Sequence, residues 1–198
     1  MIATDEQFKN IYQGRQGLII GRGAGSEYEH DPIFDKFNGI KIGCNSAYTV
    51  ADLDVLVWMD SLFFVTHWQE IKQLKCLKFA PNPDVYNTYG VDVYELRVNM
   101  PERCSVSFDS GFYPCELSGY LALNIALLFG LNPIWLHGFT SEMNDNYGNK
   151  RADKFQYLAN WAKQNNREIY LANKEGYVTK FFIYKQIEIN SKKKKIAK

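Results

Sequence analysis

Gln16-Gly17-Leu18-Ile19-Ile20-Gly21-Arg22-Gly23-Ala24-Gly25-Ser26 is the stretch on which the reading of this chain turns. Gln16 to Ile20 is a short run, apolar after its first residues, that stops at a glycine, the form of a buried strand followed by a turn. Glycines at 21, 23 and 25 let the backbone turn sharply and bring its N–H groups close to an anion. A helix after the turn would add the positive end of its dipole. The spacing is not the dinucleotide fingerprint G-x-G-x-x-G, which Tyr28 breaks, and no Gly-Lys-Ser/Thr follows to make a Walker loop. The segment therefore reads either as a phosphate cradle or as a tight strand-to-helix turn.

Strands and helices alternate outward from this point. Upstream, Thr4 to Tyr12 is expected to be a short helix with Thr4 as its N-cap. Downstream, Glu27–Phe37 is expected to be at least partly helical. Ile40–Cys44 and Asp54–Met59 read as strands, and Ser61–Leu74 as a helix with Leu62, Val65, Trp68 and Ile71 on one face. Cys76–Ala80 reads as a fourth strand, ended by Pro81-Asn82-Pro83, and Val91–Val98 as a fifth. Residues 99 to 116 look irregular, punctuated by Pro101, Gly111 and Pro114. Ser118–Phe129 is a clear helix, with Ser118 as N-cap and Gly130 as its stop. Ile134–His137 is a core strand. Thr140–Arg151 is expected to be a loop or small lid, Ala152–Gln164 a helix, Glu168–Ala172 a strand and Gly176–Tyr184 a last helix. This alternation predicts an α/β fold whose mostly parallel sheet carries helices on both faces. Residues 1–190 are expected to be a single domain and 191–198, with its lysine run Lys192–Lys195, a solvated and disordered tail.

In such sheets ligands sit beyond the carboxyl ends of the strands. The rule singles out Gly21, Gly23, Ala24, Gly25 and Ser26, then Asn45, Asp60, Ser118-Gly119 and His137. Asn45 can offer a donor and an acceptor together to a phosphate, ribose or base edge, or it can close a turn. Asp60 ends a strand and can hold ribose hydroxyls, bind Mg²⁺ or act as a base; it can equally cap the helix that starts at Ser61. Ser118-Gly119 opens a helix whose first N–H groups are free for an anion, and it can also be plain capping. His137 ends a core strand and can face the site or sit as a satisfied core residue.

The bulk numbers are ordinary. The chain has 198 residues, 46% hydrophobic and 23% charged, with a formal net charge of +1, which gives no drive toward nucleic acid. Aromatic residues reach 15%, compatible with a stacking pocket or an interface between copies of a homo-oligomer. Cysteines 44, 76, 104 and 115 show no Cys-x-x-Cys spacing, and Cys44 and Cys76 read as buried small hydrophobes. No run of about 18 apolar residues is present, so no membrane span and a cytoplasmic location are expected.

In order, these motifs resemble the Rossmann-like superfamily, bacterial or phage in type, that includes bacterial sialyltransferases of the Campylobacter type. They are also similar to 6-hydroxymethylpterin diphosphokinase-like proteins. The carriers are Gly21–Ser26, Cys44-Asn45, Asp60-Ser61-Leu62-Phe63-Phe64, Ser118-Gly119, Gly130 and Ile134-Trp135-Leu136-His137-Gly138, across roughly residues 16 to 182. The resemblance implies a nucleotide cradled by Gly21–Ser26, Asn45 and Ser118-Gly119. That nucleotide is CMP carrying a sugar in the sialyltransferases, and ATP with Mg²⁺ in the pterin group. The sialyltransferases carry a long lid holding a histidine base and two tyrosines. Here Thr140–Arg151 holds no histidine, Thr140 replaces an acidic residue, and Tyr147 stands where a phosphate-binding tyrosine is expected. Three functions follow as expectations: a small glycosyltransferase using a CMP-type nucleotide-sugar, with Asp60 or His137 as base; an ATP/Mg²⁺-dependent diphosphokinase-like enzyme; or a non-catalytic nucleotide-binding or sequestering module.

Overall fold

The computed structural model describes residues 1–21, 31–81, 83–99, 104–113, 117–139, 146–174 and 178–187, with backbone alone for 83–84 and 146–153. Eight strands run through it: β1 (Gly17–Ile20), β2 (Ile40–Cys44), β3 (Val55–Val57), β4 (Leu77–Ala80), β5 (Tyr94–Glu95), β6 (Ile134–His137), β7 (Ile169–Leu171) and β8 (Ile183–Tyr184). The helices are α1 (Asp5–Phe8), α2 (Ile33–Lys36), α3 (Ser61–Gln73), α4 (Pro83–Thr88), α5 (Ser118–Leu128) and α6 (Asn146–Gln164). The strands form one sheet in the order β5-β4-β3-β2-β1-β6-β7-β8, and every pairing is parallel. This is the expected Rossmann-like α/β fold.

Side chains alternate across the sheet and fill a core on each face. Ile19, Ile42, Val55, Val57, Leu136 and Leu171 point into the larger core, which α1, α5 and α6 cover. On the opposite face Leu18, Ile20 and Trp135 meet Phe34 and Phe37 around α2. Further along that face, Leu56, Trp58 and Ala80 meet Phe64, Ile71 and Tyr86 from α3 and α4. Burial on both faces is why β1 reads as an unbroken apolar run rather than an alternating one.

Every residue of α5 except Gly119 is buried. Such a helix has no polar face to offer water and must be covered all round. Its one buried amide, Asn124, is satisfied by the backbone of Ser105: it accepts from the Ser105 N–H at 3.0 Å and donates to the Ser105 carbonyl at 3.2 Å. This pair holds the irregular 104–113 segment against α5. Gly130 ends the helix with φ of 80°, the left-handed stop expected of it.

Several expectations change. The last helix, Gly176–Tyr184, is not one: among its described residues, 178–182 turn and Ile183–Tyr184 adds β8 to the edge. Half of the presumed lid is helix, because α6 begins at Asn146 rather than Ala152. On α3, Leu62 is 69% exposed and Val65 also faces water, while Phe64 and Ile71 are buried. The inward stripe is thus Phe64, Trp68 and Ile71, which keeps Trp68 and Ile71 of the expected face and puts Phe64 in place of Leu62 and Val65. Ser118 is the first helical residue, not the N-cap, a position that Leu117 occupies. Strand ends are shorter than expected, with β3 spanning only Val55–Val57. Helix α4 went unseen because its run opens on prolines that read as a breaker. Pro83 is the first residue of α4, where the missing N–H costs nothing. The tail 191–198 lies outside the described residues.

Candidate functional site

The chain moves from β1 outward to β5, then returns to place β6 on the other side of β1. The carboxyl end of β1 is therefore the switch point, the place at which ligands bind in open parallel sheets. Gly21 follows β1, Asn45 follows β2, Asp60 lies three residues beyond β3 and Gly138 follows β6. All four stand at this one edge.

On the β6 side the edge is tightly packed. The Gly21 N–H donates to the His137 carbonyl at 2.8 Å. Gly138 has φ of 74°, and a Cβ placed on it would lie 2.3 Å from the Gly21 carbonyl oxygen. The Gly138 N–H donates to Asn173 Oδ1 at 2.8 Å. The buried ring of Phe139 sits against both Gly21 and Gly119: added Cβ atoms would approach it to 2.9 and 2.7 Å. The room that these two glycines leave is filled by an aromatic ring of the chain itself.

On the β2 side the edge is polar. Asn45 opens a short 3-10 helix, Asn45–Thr49, with φ of 50°, a left-handed conformation that Asn tolerates better than most side chains. Its Oδ1 accepts a hydrogen bond from Ser118 Oγ at 3.1 Å, joining two residues 73 positions apart. With the carbonyl end so used, the amide Nδ2 keeps its donors for another group. Beside it, Ser46 Oγ is buried without a hydrogen-bond partner. Cys44, just before, is a buried thiol pushed up to about 12 by burial, and so is no nucleophile.

Asp60 does cap α3: its Oδ1 accepts from the Leu62 N–H at 2.8 Å, and the residue is exposed. His137 Nε2 lies 3.0 Å from Asp31 Oδ2, its ring packs edge-on against Phe34, and its Nδ1 is buried without a partner. One ring nitrogen is thus taken and the other is turned inward. Asp31 was not singled out from the sequence. The signal available was a carboxylate just ahead of Pro32 and a helix start, where Asp31 Oδ1 accepts from the Ile33 N–H at 2.9 Å.

Gly23, Ala24, Gly25, Ser26 and Thr140 lie outside the described residues, and Tyr147 is placed only by its backbone, in the first turn of α6. Among the described residues no three His, Cys, Asp or Glu side chains gather as a metal site. No described helix is long and apolar enough to cross a membrane. A cavity of about 390 Å³ lies elsewhere, between α6 and the starts of β7 and β8, lined in part by Lys163, Arg167 and Phe181.

No family model matches the chain, and no curated protein matches it in sequence. Two solved structures match in fold. One is the sialyltransferase CstII from Campylobacter jejuni in complex with the substrate analogue CMP-3FNeuAc. The other is a variant of the sialyltransferase Cst-II in complex with CMP. Each has a TM-score of 0.50 and 14% identity over 86% of this chain and 86% of the other. The chain thus has a sialyltransferase-like α/β fold, and both structures fall on the sialyltransferase side of the expected resemblance rather than the diphosphokinase side.

Proposed function

We propose that the protein binds a CMP-type nucleotide at the carboxyl edge of β1 and β2, as a small sialyltransferase-like transferase acting on a nucleotide-sugar. The observation that carries this reading is the Asn45–Ser118 pair. A left-handed asparagine, oriented by a serine from another element, leaves its amide donors free beside the switch point. Gly21 leads into the segment 22–26, whose backbone N–H groups would meet phosphate oxygens. The likeness to two structures holding CMP or its sialyl analogue supports the choice of nucleotide. Tyr147, in the first turn of α6, is the residue offered for the phosphate-binding tyrosine that the resemblance implies. The carboxylate of Asp60, with its second oxygen uncommitted, is the group offered as general base. Were the nucleotide ATP, that same carboxylate and the phosphates would hold Mg²⁺, which needs only one or two protein carboxylates.

Calorimetric titration with CMP, CDP, UDP and ATP, with and without Mg²⁺, tests the reading. CMP should bind without metal, and Asn45→Ala should weaken it by about tenfold, the equivalent of ~1.4 kcal/mol. ATP binding that vanishes with chelator would move the protein to the diphosphokinase class. Tight CMP binding with no donor turnover, unchanged by Asp60→Asn, would make it a nucleotide-sequestering module.

A further inference from the structure

We infer that His137 and Asp31 form a clasp that fixes both ends of the glycine-containing segment, making them positioning residues rather than the catalytic pair of a base and its partner. Residues 22–30 connect two points that the structure ties to one residue. At one end the Gly21 N–H donates to the His137 carbonyl at 2.8 Å. At the other, Asp31 Oδ2 meets His137 Nε2 at 3.0 Å. The same histidine thus holds the entry by its backbone and the exit by its side chain. Fixing the two ends of a loop removes closure entropy that a ligand would otherwise have to supply on binding.

The clasp is itself held. Asp31 Oδ1 accepts from the Ile33 N–H at 2.9 Å, which turns the second oxygen toward the imidazole. The Phe34 ring lies 4.9 Å from the His137 ring, edge to face, and stops it from swinging out. The His137 side chain is only 14% exposed. Its Nδ1 is buried without a partner, so the neutral ring carries its proton on Nε2 and donates it to Asp31. A base must turn a bare nitrogen toward the substrate. Here the bare nitrogen faces the interior.

The inference rests on the nucleotide reading only for what the clasp serves; the clasp itself is tested without ligand. In the full chain, nitrogen-15 NMR of the imidazole should show the Nε2-protonated tautomer of His137. Trypsin cleavage after Arg22, measured against cleavage in the Lys192–Lys195 tail, should rise about tenfold in Asp31→Ala and His137→Ala, the loss of one charge-assisted hydrogen bond. His137→Gln, whose amide can donate where Nε2 does, should keep cleavage within about threefold of the parent protein. CMP affinity should follow the same order across the three variants. A proton on Nδ1, or a cleavage ratio unchanged by Asp31→Ala, would overturn the clasp. So would a His137→Gln variant as impaired as His137→Ala while both remain folded. If the parent protein binds no CMP, the nucleotide reading falls, and the clasp is then decided by the tautomer and the cleavage ratio.

Discussion

The two sides of the switch point use small and polar residues for different ends. Toward β6, Gly21, Gly119 and Gly138 bring backbone against backbone and admit the Phe139 ring. Toward β2, Asn45, Ser46 and Ser118 present polar atoms, two of them bonded to each other and one buried without a partner. In the sequence both sides look like ligand sites, since glycine at a strand end or a helix start is equally suited to either. What separates them is whether something already fills the space. Glycine marks close approach, and the approaching group can be the protein's own side chain.

Substitutions on the packed side should cost stability first. Gly138→Ala is expected to have the largest effect, a loss of about 3 kcal/mol or more, read as a lowered denaturation midpoint. It combines a left-handed backbone with a Cβ 2.3 Å from a carbonyl oxygen, which no side-chain motion relieves. Gly119→Ala should cost about 1–3 kcal/mol by overpacking against Phe139, and a smaller side chain at 139 (Phe139→Leu) should return part of it. Additive losses in the double variant would mean that the ring is not what Gly119 accommodates.

The polar side should behave the other way. Asn45→Gly suits φ of 50° and should leave stability within about 1 kcal/mol of the parent, while CMP affinity falls. Ser118→Ala, the mildest change, should cost roughly 0.5–1.5 kcal/mol for the lost hydrogen bond, with a smaller drop in affinity as the amide loses its orientation. If Asn45→Gly unfolded the protein while Gly119→Ala spared stability and abolished binding, the contrast between the two sides would be reversed.

Much of the architecture was legible before the structure. Buried parallel strands announce themselves as short apolar runs ending at Gly, Asn or Asp, and β2 and β6 fall on the residues expected of them. Helix α5 was equally plain, because eleven residues of near-continuous apolar character need cover on all sides. The edges were less legible. β8 has two exposed residues and no core-facing pattern of its own, so only its pairing with β7 makes it a strand. The face of α3 was misjudged because Phe63, Phe64 and Val65 are apolar in succession, and periodicity alone does not choose among them.

The site divides in the same way. Asn45 and Ser118 could be named from their places at strand and helix ends, but not as partners. His137 could be named, but not the use to which its ring is put. The sequence by itself determined the strand cores, the α/β alternation and which chain positions lie at the carboxyl edge, since these follow from local hydrophobic pattern and from glycine's backbone freedom. Only the tertiary structure decided that Phe139 fills the glycine gap, that Ser118 orients Asn45, and that Asp31 reaches His137 across 106 positions. Such contacts depend on the sheet order, which brings distant strand ends together and which no local pattern encodes.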